Sequence, residues 1–160
     1  MALQSLHKCL GLLLAMGLTA CAASPPAPAH SGGSSDMTNI LSTLARSNPA
    51  AFEAVMDKFI VAAKAQDIEG MLALTSPETR KEQGDDGLRG LYRNEYVILF
   101  TTYPQKSAGG DVINVHDAAG NEGWVFKKVF SAADGRQAKV QVAVLREQGN
   151  IYVSAVTLWH

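Results

Sequence analysis

The sequence predicts an α+β domain, with helices in its first half and an antiparallel sheet in its second half. Apolar residues recur at helical spacing up to about residue 100, whereas from Asp111 onward they alternate with polar residues. Short turns that contain Asp-Gly or Gly-Asn separate the alternating stretches, which is typical of β-hairpins. This order predicts N-terminal helices packed on a four-stranded antiparallel meander sheet.

Residues 1–20 have the composition of a bacterial export signal. Lys8 supplies a positive charge, and the apolar run over residues 9–18 is about half of the roughly 20 residues that a membrane-spanning helix needs. The run ends in Leu18-Thr19-Ala20-Cys21, which resembles the lipobox of bacterial lipoproteins. That resemblance implies cleavage before Cys21, a diacylglycerol on its thiol and an acyl chain such as palmitate on its amino group.

The predicted lipid determines where the chain works. Two or more acyl chains hold a protein stably on a membrane. Ala22, rather than Asp, follows the cysteine, and in enterobacterial lipoproteins this resemblance implies an outer-membrane protein that faces the periplasm. Residues 21–35 are rich in Ala, Pro, Gly and Ser and predict a disordered tether. Residues 36–160 then have the size of a single α+β domain.

Composition excludes several kinds of site. The chain from Cys21 onward has a net charge of −2, because signal cleavage removes one lysine and no acid, and no basic cluster predicts a nucleic-acid partner. Cys9 leaves with the signal and Cys21 carries lipid, so the domain has no thiol for a disulfide or a metal. Only His116 and His160 remain beyond the tether, so we expect neither a metal site nor a cofactor.

The first two predicted helices begin at capping residues. Asp36 can cap a short helix that runs to about Arg46, and Asn48 can cap a second helix with Pro49 at its first position. The second helix has the clearest periodicity in the chain, with apolar residues at Phe52, Val55, Met56, Phe59, Ile60 and Ala63. This stripe is expected to pack on the sheet.

Shorter helices are predicted after residue 66. Asp67 begins one, and Ser76-Pro77 begins another that reaches about Gln83. The Gly-Asp-Asp-Gly sequence at 84–87 is expected to break the pattern. From Leu88 the spacing favours a helix through about Phe100, although the β-branched and aromatic composition of residues 96–103 also suits a strand.

Four strands are predicted, over residues 111–117, 122–131, 138–148 and 151–159. Alternation places several sets of side chains on common faces. These sets are Val140, Val142 and Val144 on the third strand, Trp124, Phe126 and Phe130 on the second, and Ile151 and Trp159 on the fourth.

A long helix, short helices and a curved meander in this order resemble the NTF2-like (cystatin-like) superfamily, which includes small periplasmic lipoprotein domains. The resemblance covers about residues 48–159 and rests on element order and length. It implies a cone with a pocket between helices and sheet. Members of the superfamily include enzymes and binding domains, so this fold does not select a function.

Aromatic and basic residues suggest a candidate pocket inside that cone. Its residues are Tyr92 and Tyr96 on one predicted helix, Arg89 and Arg93 on the same helix, and Trp124 and Phe126 on a strand. An apolar pocket closed by tyrosine hydroxyls is the usual form of a small-ligand site. The alternative is that the aromatic residues are core and the arginines lie on a solvated face.

Catalytic constellations are not evident in the sequence. His116 and Asp117 are adjacent on a predicted strand, so their side chains point to opposite faces. The Asp85-Asp86 pair suits a helix cap, and no serine or glycine motif of a hydrolase or phosphate loop is present. We therefore expect a membrane-anchored binding or assembly module of the cell envelope, with an envelope protein as its partner. A small-ligand-binding protein or an enzyme with an NTF2-like pocket is the alternative.

Overall fold

A computed structural model describes residues 48–159. The predicted signal, Cys21, the tether and the helix over residues 36–46 lie outside the described residues. The helices are α1 (Pro49–Lys64), α2 (Ile68–Ala73), α3 (Pro77–Gln83), α4 (Asp85–Leu91), a π-helical turn (Tyr92–Tyr96) and α5 (Val97–Thr102). The strands are β1 (Gln105–Lys106), β2 (Val112–His116), β3 (Glu122–Ser131), β4 (Gln137–Glu147) and β5 (Asn150–Leu158). The predicted α+β class is confirmed.

Helix α1 lies across the sheet and supplies much of the core. The Asn48 side chain accepts a hydrogen bond from the Ala50 amide, and Pro49 occupies the first turn, as the sequence predicts. The predicted stripe is confirmed, with one member, Val55, only half-buried. Its fully buried residues are Phe52, Met56, Phe59, Ile60 and Ala63.

The short helices begin where their caps predict, with one exception. Asp67 accepts from the Gly70 amide and Ser76 accepts from the Thr79 amide, so α2 and α3 start as expected. The expected break over residues 84–87 is wrong, because only Gly84 interrupts the helices and α4 begins at Asp85. Gly84 has a φ of 71°, a conformation that glycine adopts without strain.

The segment from Asp85 to Thr102 is helical throughout, so residues 96–102 are not a strand. The π-helical turn from Tyr92 to Tyr96 interrupts the regular α-helix. The inward residues are Leu88, Tyr92 and Phe100, and each is at least 97% buried. Packing of this apolar side on the core therefore outweighs the β propensity of the segment.

The sheet has five strands rather than four. β3, β4 and β5 are joined by hairpins, while β1 and β2 pair one after the other along the same edge of β3. The loop between β1 and β2 passes so close to β3 that a Cβ on Gly110 would clash with the Lys127 carbonyl oxygen. The two-residue β1 was not predicted because a strand this short has no detectable periodicity.

A β-bulge in β5 changes which side chains share a face. Ala143 pairs with Ala155 but Val144 pairs with Val153, which leaves Ser154 as the extra residue. Ile151 therefore packs against the core, whereas Trp159 lies on the opposite face beside Lys139. The expectation that Ile151 and Trp159 share a face is wrong for this reason.

The two faces of the sheet differ in what covers them. We call the face that packs against α1 the inner face, since its central residues Phe126, Val140 and Val142 are fully buried. The opposite, outer face meets the start of α3, where the Ser76 hydroxyl donates to the buried Glu147 carboxylate at 2.5 Å. None of the helices within residues 48–159 is long and apolar enough to cross a membrane.

Candidate functional site

Tyr92 and Tyr96 lie side by side between the helices and the sheet. Their ring centroids are 5.4 Å apart, and Phe59 packs edge-on against Tyr92 at 5.6 Å. The Tyr92 hydroxyl is 2.6 Å from Thr75 Oγ1, and the Tyr96 hydroxyl donates to the Val156 carbonyl at 3.0 Å. Burial raises the pKa of Tyr92, so this phenol stays protonated at neutral pH. Both hydroxyls are thus bound to protein atoms.

The other candidate pocket residues lie in different surroundings. Arg89 donates to Glu69 at 2.8 Å and to Asp86 at 2.9 Å, and the bond to Glu69 is the main reason that the pKa of Arg89 is raised. Arg93 is exposed at the surface, whereas Phe126 is fully buried in the core. The structure therefore does not bring the six residues of the candidate pocket to one place.

One charged row crosses the inner face near the hairpin end of β2. His116 pairs with Glu122, and Arg146 pairs with Ile151 on the neighbouring strands. Because Gly123 pairs with Leu145, Glu122 and Arg146 stand opposite each other. Glu122 Oε2 lies 3.8 Å from Arg146 Nε, which is an ion-pair distance but too long for a hydrogen bond.

Trp124 stands on the next row of the same face, opposite Val144. Its ring is half-buried, and its Nε1 is buried with no hydrogen-bond partner, as is Arg146 Nε. The Arg146 guanidinium carbon lies 5.1 Å from the Phe52 ring centroid, within the range of a cation–π contact. We call Glu122, Trp124 and Arg146 the Arg146 cluster.

The inner side of β2 beside this cluster is open among the described residues. Val112 is 39% exposed although it stands opposite the buried Phe126. Asn114 and His116, opposite the half-buried Trp124 and Glu122, are also exposed. Sequence reasoning selected Trp124 but missed Glu122 and Arg146. The turn at Asp117–Asn121 was the sequence signal that could have found Glu122. Counting residues outward from this turn along both strands places His116 opposite Glu122.

A second set of charges joins α1 to the inner face. Lys128 Nζ lies 3.0 Å from Glu53 Oε1, and the Lys128 side chain is only 4% exposed. Lys106 Nζ lies 3.5 Å from the same Glu53 oxygen and 2.5 Å from Asp57 Oδ1. The hydrogen bond from Lys128 is the main cause that lowers the pKa of Glu53. These four groups satisfy one another, which indicates a structural role.

The outer face has an apolar half at the hairpin end of β2. Strand register aligns seven side chains there in two rows. They are Ile113, Val115, Val125, Ala143, Leu145, Tyr152 and Ala155. The other half is cationic, because it carries Lys127 and Lys139. Their ammonium nitrogens lie 5.6 and 4.9 Å from the Trp159 ring centroid. A half-apolar outer face is unusual for an antiparallel sheet that meets water.

The two lateral edges of the sheet are treated differently. The β5 edge is bonded to the helical segments, since Val153 exchanges backbone hydrogen bonds with Leu74 and Ser76. Within residues 48–159, β2 pairs only with β3. Its sequence, Val-Ile-Asn-Val-His, contains neither a lysine nor a proline, which are the usual protections of an edge strand.

A shallow depression lies between α1 and α2 on the helical side, lined by residues that include Lys58, Val61, Asp67 and Leu74. None of the predicted pocket residues lines it. In the described part of the chain, no group of three or more His, Cys, Asp and Glu side chains could hold a metal ion. Comparisons with family models, curated proteins and solved structures found no match.

Proposed function

We propose that this protein is a lipid-anchored binding or assembly module of the bacterial envelope that holds a partner protein through β2. The observation that carries this proposal is the exposed β2 edge, which is continuous with the apolar half of the outer face. An unprotected edge can pair with a strand of another chain, and the apolar side chains beside it add hydrophobic contact.

The predicted lipid would act together with this surface. A partner in the same membrane or in the periplasm next to it would meet the domain at high effective concentration, because the anchor restricts the volume that the domain explores. A weak edge-pairing contact then suffices for assembly. Because Ala22 rather than Asp follows Cys21, we propose that the domain is anchored through Cys21 to the outer membrane and faces the periplasm.

Replacing Cys21 with Ser tests the anchor. We expect the variant to move from the membrane fraction to the soluble periplasmic fraction, since the thiol that receives the diacylglycerol is gone. Fractionation followed by immunoblotting measures this, with Cys9→Ser as the matched control that should stay in the membrane fraction. Membrane retention of the Cys21→Ser protein would contradict lipid attachment at this residue.

A photo-crosslinking residue at position 113 tests the docking surface in intact cells. We expect one dominant crosslinked envelope protein, because Ile113 is 42% exposed on β2 and lies in the apolar half of the outer face. The same residue at position 81, exposed on α3, should not give this product. Adding Val115→Lys should suppress the product from position 113, because a lysine on an edge strand opposes pairing with another strand. Equal products from positions 113 and 81 would rule out docking through β2.

The second candidate function is binding of a small molecule, with or without catalysis. The unpaired donors of the Arg146 cluster favour it. Native mass spectrometry of the protein purified from its own cells tests this candidate, because a retained small molecule would appear as a mass above that of the chain and its lipid. A protein that carries only its lipid would count against tight binding.

A further inference from the structure

Two hydrogen-bond donors on the inner face lack acceptors. Trp124 Nε1 and Arg146 Nε are both buried, and neither has a partner in the structure. Leaving a buried donor unpaired costs free energy, and the cost is larger when the group is charged. Most buried polar groups in proteins are paired, so two orphan donors on one face require an explanation.

Strand register places these two donors close to each other. Trp124 stands opposite Val144, and Arg146 is the next residue on the same face of β4, so the two side chains are diagonal neighbours. Diagonal neighbours in an antiparallel pair lie about 7–8 Å apart at the backbone, a span that two long side chains can close. One group that accepts hydrogen bonds can therefore meet both donors.

Glu122 does not satisfy Arg146. Its carboxylate is 3.8 Å from Nε, beyond hydrogen-bond distance, and its own side chain is 19% exposed. Arginine binds a carboxylate best through two parallel hydrogen bonds, which are absent here. Glu122 therefore balances the charge of Arg146 while leaving its Nε without a hydrogen bond.

The surroundings also suit an organic ligand. The fully buried Phe52 ring lies 5.1 Å from the guanidinium carbon and supports it from the core side. The half-buried Trp124 ring and the exposed Asn114 opposite it border the open inner side of β2. Apolar walls around a few polar groups are typical of small-molecule sites. We propose that Arg146 and Trp124 bind the carboxylate of a small organic acid on the inner face, with its apolar part directed past Trp124 toward the open inner side of β2.

This site is independent of the docking surface, which occupies the β2 edge and the outer face. The test uses the Cys21→Ser chain without residues 1–20, labelled with ¹⁵N, and follows the two indole N–H signals. The sequence contains only Trp124 and Trp159, so a Trp159→Phe variant assigns both. Benzoate is the probe, and benzamide, which has the same shape without the charge, is its control.

We expect benzoate to shift the Trp124 indole signal in a saturable way, and benzamide to shift it at least about tenfold less effectively, since charge-assisted hydrogen bonds to arginine are strong. Arg146→Met should weaken benzoate binding about tenfold or more. Glu122→Gln should tighten it several-fold because a like charge is removed. Lys81→Gln, which removes an exposed positive charge on α3, should leave the affinity unchanged.

Three results would overturn the proposal: no benzoate response at Trp124, equal responses to benzoate and benzamide, or weaker binding by Glu122→Gln. Thermal melting shows whether each variant is folded. If Arg146→Met fails to fold, Arg146→Lys replaces it, since lysine keeps the charge but lacks the planar guanidinium. Arg146→Lys should bind benzoate several-fold more weakly than the wild type does. Loss of the crosslink from position 113 would leave these outcomes unchanged, so the two proposals fail separately.

Discussion

Phe59→Ala is expected to lower the free energy of unfolding by about 3–5 kcal/mol. The Phe59 side chain is 1% exposed on α1, and its ring packs edge-on against Tyr92 at 5.6 Å and Tyr96 at 6.3 Å. Truncation removes the apolar contact and leaves a cavity where the helical layer meets the sheet. Urea denaturation followed by circular dichroism measures the change as a shift of the midpoint at constant slope.

Val61→Ala is the matched control on the same helix. Val61 is 64% exposed, so its truncation should change the free energy of unfolding by no more than about 0.5 kcal/mol. The Phe59 variant should also lose part of the Tyr92 and Tyr96 near-ultraviolet signal, because the aromatic cluster loses its third ring. A Phe59→Ala protein as stable as wild type would contradict the assigned packing of α1.

The helical half of the fold was predictable because its signals are local. Asn48, Asp67 and Ser76 cap their helices by hydrogen bonds to amides two or three residues away. The apolar stripe of α1 repeats over the whole helix. Such information lies within one short stretch of chain, where side-chain spacing and capping chemistry can be read directly.

The missed features of the fold depend on contacts between distant residues. The bulge at Ser154 exists only relative to β4, and it reversed the face assigned to Trp159. Strand β1 exists because Gln105 and Lys106 meet the far end of β3. A period of two residues predicts strands but not their register, so these features could not be read from alternation alone.

The candidate site shows the same division. Trp124 was selected because it is aromatic and shares a face with Phe126. Arg146 and Glu122 are charged, and in a sequence alone such residues suit solvated positions, although both lie on the inner face. Only the pairing of neighbouring strands shows that their positions coincide with that of Trp124.

Glu53→Gln is expected to lower the free energy of unfolding by about 2–3 kcal/mol at neutral pH. Breaking a fully buried ion pair costs roughly 3–5 kcal/mol, and the loss here is smaller because the Glu53 side chain is 34% exposed. The substitution leaves the Lys128 ammonium buried without its nearest carboxylate, 3.0 Å away in the wild type. Chemical denaturation at pH 7 measures the loss. Glu78→Gln, an exposed acid of α3, is the control and should change little.

Lys128→Met separates the charge from the packing of its side chain. Methionine has a similar volume and carries no charge, so Lys128→Met should restore most of the stability that Glu53→Gln removes. A double-mutant cycle therefore gives a favourable coupling between positions 53 and 128. If the double variant were as unstable as the sum of the single variants, Lys128 and Glu53 would not form a coupled pair.

The same pair predicts how stability depends on pH. Hydrogen bonding from Lys128, together with the charges of Lys128 and Lys106, lowers the pKa of Glu53 below its usual 4.5. A carboxyl whose pKa is lower in the folded state stabilises the fold above its unfolded pKa, and this contribution is lost as pH falls through the folded pKa. The free energy of unfolding of the wild type should therefore fall more steeply than that of Glu53→Gln as pH decreases below about 4.5. Parallel pH profiles for the two proteins would show that Glu53 is not stabilised by its lysines. If the two free energies of unfolding instead converge at low pH, the Glu53 carboxylate is the source of the difference between them.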